Sequence, residues 1–179
     1  MQRVDIKIGF SCNNRCLFCV QGDKREHHGA RPPERIRDDL REGRRAGATG
    51  VVITGGEPTL QRTLRATVRK ARALGYDTVQ VQTNGRSLAY GDLCRQLVDD
   101  GANEFSPALH GPTARLHDEL TRAPTAIART PPLIRNPLPP PQRPITNPVI
   151  TAPTHTHPPA LGTPPGQLRL PPLQSPRPT

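Results

Sequence analysis

Proline sets the limits of what this chain can fold into. Of its 23 prolines, only Pro32, Pro33, Pro58, Pro107 and Pro112 precede residue 124; the other 18 crowd into residues 124–179. Proline lacks a backbone N–H and its ring clashes with the preceding helical turn. Each one inside a helix therefore costs about 3 kcal/mol. The expectation is a folded core over residues 1–127 and a Pro-rich, irregular tail over 128–179. The tail is also basic, since residues 124–179 hold five arginines and no Asp or Glu. The first 123 residues carry 20 basic and 15 acidic side chains, an ordinary balance for a soluble enzyme. The apolar fraction, 33% overall, is pulled down by the tail.

Within the core, strand and helix patterns alternate. Val4, Ile6 and Ile8 alternate with Asp5 and Lys7, a period-two strand. Residues 20–33 are polar and contain Gly and Pro, and read as loop. Pro33-Glu34 opens a helix reaching about Ala46, with Gly47 and Gly50 ending it. Val51-Val52-Ile53-Thr54 is a short β-branched run suited to a parallel strand buried on both faces. Thr59 is expected to cap the next helix, which carries Leu60, Leu64, Val68, Ala71 and Leu74 and closes at Gly75. Thr78 to Thr83 is a third strand, and a helix is expected over about 88–100. Asn103 to Leu109 reads as a fourth strand, where Pro107 forces a bulge or an early end. Thr113 to Leu120 is a short helix. Such alternation argues a parallel α/β sheet with functional loops beyond the strands' C-terminal ends.

One of those loops carries the chemistry. Cys12-Asn13-Asn14-Arg15-Cys16-Leu17-Phe18-Cys19 places three cysteines within eight residues, at C-x3-C-x2-C spacing. Cys94 is the only other cysteine, and it falls mid-helix as a buried thiol. Three thiolates on one loop can hold three corners of a cubane iron–sulfur cluster and leave the fourth iron open. A zinc site is the rival: structural zinc wants four ligands, and His27 or His28 could complete a Cys3His set. A disulfide scaffold fits poorly, because one cysteine stands far from the other three.

The cysteine spacing, with Phe18 before the last cysteine, resembles the signature of the radical S-adenosylmethionine (radical SAM) enzymes. Gly55-Gly56-Glu57-Pro58 and Thr83-Asn84-Gly85 strengthen the resemblance, which covers about residues 3–127. It implies a [4Fe–4S] cluster on Cys12, Cys16 and Cys19, with S-adenosylmethionine (SAM) chelating the open iron. It also implies SAM contacts from Gly55, Gly56 and Glu57, a nucleoside pocket lined by Thr83 and Asn84, and a polar contact from Ser106. The implied fold is a partial (β/α)6 TIM-like barrel, incomplete after the fourth or fifth repeat. A fifth strand is expected at Pro144 to Ile150, and a convincing sixth is missing. The fragments Leu133 to Asn136, Ile145 to Thr151 and His157 to Leu161 resemble later repeats of such barrels, degraded by proline. The implied reaction is reductive cleavage of SAM to a 5′-deoxyadenosyl radical that abstracts hydrogen from a small-molecule or peptide substrate. An electron donor such as flavodoxin or ferredoxin is implied as partner.

Leu109-His110-Gly111 and His117-Asp118 resemble a segment of the molybdenum-cofactor, pyrroloquinoline-quinone and peptide-maturation branch. His110 is expected at a strand end facing the pocket, and His117-Asp118 as a cap or pair on a helix. The N-terminus runs straight into a strand pattern, so no signal peptide is expected. No apolar run is long enough to span a membrane. Scattered arginines without aromatic partners argue against nucleic-acid binding, and clustered free cysteines fit the cytoplasm. Two other readings stay open: a catalytically impaired, truncated iron–sulfur or zinc-binding protein, and a basic Pro-rich interaction protein.

Overall fold

The structure is a computed structural model that describes residues 2–89, 91–111, 113–124, 143–144 and 151. Among these residues, five parallel strands stand in sequence order. They are β1 (Arg3–Lys7), β2 (Gly50–Thr54), β3 (Thr78–Thr83), β4 (Glu104–Pro107) and β5 (Arg143–Pro144). Between them lie α1 (Lys24–His27), α2 (Pro33–Arg45), α3 (Leu64–Ala73), α4 (Gly91–Asp99) and α5 (Ala114–Thr121). A parallel sheet in sequential order with intervening helices is one wall of a (β/α) barrel.

The two faces of the wall follow from period-two alternation. Val4, Ile6, Ile8, Val51, Ile53, Val79, Val81 and Phe105 pack against Ile36 and Leu40 of α2, Val68 of α3 and Leu97 of α4. Full burial of each such side chain contributes about 1.5–3 kcal/mol. The opposite face is polar. Lys7 stands opposite Thr54, and Gln82 opposite Ser106; Asp5 stands opposite Val52, and Gln80 opposite Glu104. At its lower end Arg3 reaches across the sheet to Glu104, with contacts of 2.7 and 3.2 Å. Gly50 makes room for this, because a Cβ there would lie 2.9 Å from Arg3 Cγ. Gln80 Nε2 also donates to Glu104, at 3.1 Å. β2 is thus apolar toward the helices but meets a polar interior, rather than being buried between two apolar layers.

Three local expectations are corrected. Residues 20–33 are not all loop, since Lys24–His27 forms one helical turn in which His28 N–H donates to Lys24 O. The helix after β2 starts at Leu64, five residues beyond Thr59, and Leu60 is 43% exposed. The cause is Glu57, whose carboxylate takes both the N–H and the hydroxyl of Thr59 and draws Pro58–Leu60 into a 3-10 turn. A second 3-10 turn, Arg86–Ala89, delays α4 to Gly91. Pro107 is the last residue of β4, as its missing N–H requires. Of the fifth-strand segment, Pro144 lies in β5 and residues 145–150 lie outside the described residues. So does most of 128–179.

Candidate functional site

Beyond the C-terminal ends of β1–β4 lies a pocket of about 310 Å³. Its walls bring together Cys12, Cys16, Cys19, Phe18, Gly55, Gly56, Glu57, Thr83 and Asn84 from distant parts of the chain. Its floor is the polar sheet face, through Asp5, Lys7, Thr54 and Gln82. Ser106 is buried beside Gln82 on β4, and the wall there is made by Gln82, Ala108 and His110 instead.

The cysteine loop leaves β1 and is closed at its base. Phe10 N–H donates to Gly29 O, and Arg31 N–H to Ile8 O. From one side, the C-terminal carbonyls of α5 hold it: Arg15 N–H donates to Thr121 O at 3.0 Å and Leu17 N–H to Leu120 O at 2.9 Å. Those carbonyls have no partner within the helix, so the loop completes the helix end. From the other side, Asn84 Nδ2 donates to Asn13 Oδ1 and Arg86 Nη1 to Asn13 O, both at 2.6 Å.

The glycine pair explains how the loop and the β2 turn approach. Gly56 N–H donates to Gly9 O at 3.0 Å, and Glu57 N–H to Ser11 O at 2.8 Å. A Cβ at Gly55, which has φ 139°, would lie 2.2 Å from Gly9 O. A Cβ at Gly56 would lie 2.2 Å from Phe10 O. Backbone-to-backbone contact therefore excludes any side chain at either position, apart from any need of a ligand.

Glu57 is the hub of the far wall. It is 1% exposed, and its Oε1 accepts from Thr59 N–H at 3.1 Å and from the Thr59 and Thr83 hydroxyls, both at 2.6 Å. Its Oε2 accepts from Asn84 N–H at 2.6 Å. Burial pushes the carboxyl upward, while these four hydrogen bonds pull toward the carboxylate. Oε1 is saturated, and Oε2 keeps acceptor capacity toward the pocket it lines.

The thiols are shifted too. Burial pushes the Cys16 thiol up to about 11, with charge on Cys12 and Cys19 adding to it. Burial also raises Cys12, against a hydrogen bond from the Asn14 backbone. Three sulfurs that repel one another as thiolates are a site that cations would complete. Among the described residues, no three His, Cys, Asp or Glu side chains gather tightly enough to hold a single metal ion. A cubane, which takes one thiolate on each of three irons, needs no such convergence, so the donor set fits it. His27 and His28 are exposed, and His28 packs its ring against Phe10.

His110 is a pocket wall at the end of β4, 6% exposed. Its ring meets Phe18 edge-on at 4.6 Å and stacks on His117 at 5.8 Å. Burial lowers His110 to about 3, with the neighbouring His117 adding to it, and burial lowers His117 also. Both rings are neutral near pH 7. His117, on α5, is 1% exposed and feels the Asp118 charge beside it, and its Nδ1 accepts the His110 backbone N–H at 3.1 Å.

The sequence profile of the radical SAM superfamily matches residues 6–128. The chain belongs to the radical SAM superfamily. Members of this superfamily work with a [4Fe–4S] cluster and SAM, and the pocket's donor set suits both. Among curated relatives, the radical SAM chain is 33% identical over 111 residues to a probable GTP 3′,8-cyclase of Saccharolobus solfataricus, covering 62% of this chain and 35% of that protein. It is 32% identical over 122 residues to the probable GTP 3′,8-cyclase of Metallosphaera sedula, covering 68% and 38%. The chain thus spans little more than a third of these relatives' length. Among solved structures, Streptococcus suis SuiB bound to its precursor peptide SuiA matches with a TM-score of 0.66 at 20% identity, over 83% of this chain and 33% of that one. The anSMEcpe structure with bound AdoMet and Kp18Cys peptide matches with 0.66 at 19% identity, over 87% and 45%. These likenesses show the α/β barrel fold. Among the described residues, no helix is long and apolar enough to cross a membrane.

Several site residues carried no sequence signal of function. Asp5, Lys7, Thr54 and Gln82 reach the pocket because alternate strand positions face inward. The polar half of the β1 and β3 alternation was their only trace. Arg25 and Arg86 act on the cysteine loop through contacts that no local pattern announces.

Proposed function

We propose that residues 1–127 form the initiating half of a radical SAM enzyme, and that 128–179 are a Pro-rich basic tail. Cys12, Cys16 and Cys19 hold a [4Fe–4S] cluster, and Gly55, Gly56, Glu57, Thr83 and Asn84 receive SAM. The cluster those cysteines would hold would supply the electron for reductive cleavage of SAM, giving a 5′-deoxyadenosyl radical to abstract hydrogen from the substrate. The observation that carries this reading is the convergence of the cysteine loop, the Gly-Gly-Glu turn and the Thr-Asn-Gly turn on one pocket.

The chain's own residues orient and shield. The Gly55–Gly56 backbone and Oε2 of Glu57 offer acceptors to the SAM ammonium. Phe18 and His110 close one side and keep water from the reacting centre. His110, being neutral, can accept or donate one hydrogen bond without bringing charge. The polar floor of Asp5, Lys7, Thr54 and Gln82 suits a polar small molecule or peptide backbone. The electron comes from a donor of the flavodoxin or ferredoxin class, in the cytoplasm. Ser106 lies beside Gln82 in the sheet register, outside the pocket lining.

The test is anaerobic reconstitution of the full chain, then incubation with SAM and dithionite. Formation of 5′-deoxyadenosine is expected. A cluster without 5′-deoxyadenosine supports the second reading, an impaired cluster-binding chain. Zinc alone removes both.

A further inference from the structure

Asn14 sits between Cys12 and Cys16 and is 4% exposed. A buried amide is costly unless its polar groups are paired, and here they are. Its backbone N–H donates to Cys12 Sγ at 3.4 Å. Its carboxamide lies close enough to Cys16 to favour the thiolate, the weakest of the influences on that thiol. Its acceptors face the other way. The backbone carbonyl takes Arg25 Nη1 at 2.9 Å, and Oδ1 takes Arg86 Nη1 at 3.2 Å. Arg86 reaches there from the turn after β3, and Arg25 from α1. Two arginines thus hold both acceptors of the residue whose backbone N–H meets the Cys12 sulfur.

We propose that Asn14, pinned by Arg25 and Arg86, is a positioning residue that holds its backbone N–H against the Cys12 sulfur and raises the cluster's reduction potential. The inference rests on the reading that these cysteines hold a [4Fe–4S] cluster. Reduction adds one electron from an external one-electron donor and takes the cluster from the 2+ to the 1+ state. The added negative charge spreads over the sulfurs. N–H donors and nearby cations stabilise the reduced form more than the oxidised one. Such outer partners orient the ligands and tune the metal group they hold.

The test compares the full-length wild type with Asn14→Leu and Arg86→Lys, each reconstituted anaerobically. Leu keeps the backbone N–H but lacks the carboxamide oxygen that Arg86 pins, and Lys keeps the charge of Arg without its fork. Iron and sulfide are counted first. The midpoint potential is then read by electron paramagnetic resonance during a mediated dithionite titration. The expected result is full iron content with a midpoint shifted negative, more in Asn14→Leu than in Arg86→Lys. An unmoved midpoint at full iron content overturns the inference. So does loss of iron in both variants, which would make Asn14 a mere brace for the loop. If only one variant loads, its midpoint decides. A wild type that takes up no cluster sinks the proposed function first, and this inference with it.

Discussion

The backbone N–H of Asn84 donates to Glu57 Oε2 at 2.6 Å, tying the turn after β3 to the turn after β2. Through its side chain, Asn84 then holds Asn13 at 2.6 Å, inside the cysteine loop. One buried carboxylate therefore sets the spacing between these two turns and the cysteine loop. Replacing Glu57 with Gln puts an N–H₂ against donors that need an acceptor. A loss of about 1–3 kcal/mol in apo-protein stability is expected, read by urea unfolding. An unchanged midpoint would mean that the four hydrogen bonds do not hold the fold.

The glycine pair gives a sharper contrast. Gly56→Ala brings a Cβ against backbone oxygens 2.2 and 2.4 Å away, which cannot swing aside like a side chain. Gly22 has φ 48° with nothing within 4 Å of an added Cβ. Gly22→Ala should cost only the left-handed conformation, about 1–2 kcal/mol. Gly56→Ala should lose the native fold or the iron-binding loop outright. Circular dichroism with iron content after reconstitution separates the two.

The two neutral histidines make stability depend on pH. His110 sits at about 3 in the fold, against about 6.5 when unfolded. Its stabilising contribution is complete above pH 6.5 and is lost as pH falls from there toward 3, because only the unfolded chain takes the proton. Between pH 7.5 and 5.5 the metal-free protein should lose about 1 kcal/mol from this group. His110→Phe keeps the ring against Phe18 and removes the titration, so its loss over the same interval should be smaller. Equal losses in urea titrations at the two pH values would contradict this.

Much of the site was legible because its signals are local. The C-x3-C-x2-C spacing, the Gly-Gly-Glu-Pro turn and the Thr-Asn-Gly turn each lie within a few residues, and each follows a strand. The four strand–helix repeats were legible from periodicity. What stayed hidden depends on pairs far apart in the chain. Glu57 accepts from residues 26 and 27 positions away, which no local pattern announces. Arg86 reaches a carboxamide 72 residues distant. The contact of His117 Nδ1 with the His110 backbone N–H likewise joins α5 to the end of β4 without a local signal. Ser106 shares the polar face of the sheet with its β3 neighbour Gln82, and of the two Gln82 lines the pocket.

Cys94 provides the internal control for ligation. It is buried in α4 and packs with the apolar core, away from the other three thiols. Cys94→Ala should keep full iron content and cost at most about 1 kcal/mol, as a small-volume change. Iron lost from this variant alone would misassign the ligand set.

The most direct measurement is electron paramagnetic resonance of the reduced, reconstituted chain, with and without SAM, in wild type and in Cys12→Ala, Cys16→Ala and Cys19→Ala. The account predicts a [4Fe–4S] signal in the wild type that changes on adding SAM, and loss of that signal in all three variants. A signal indifferent to SAM, or one that survives removal of Cys16, would contradict it.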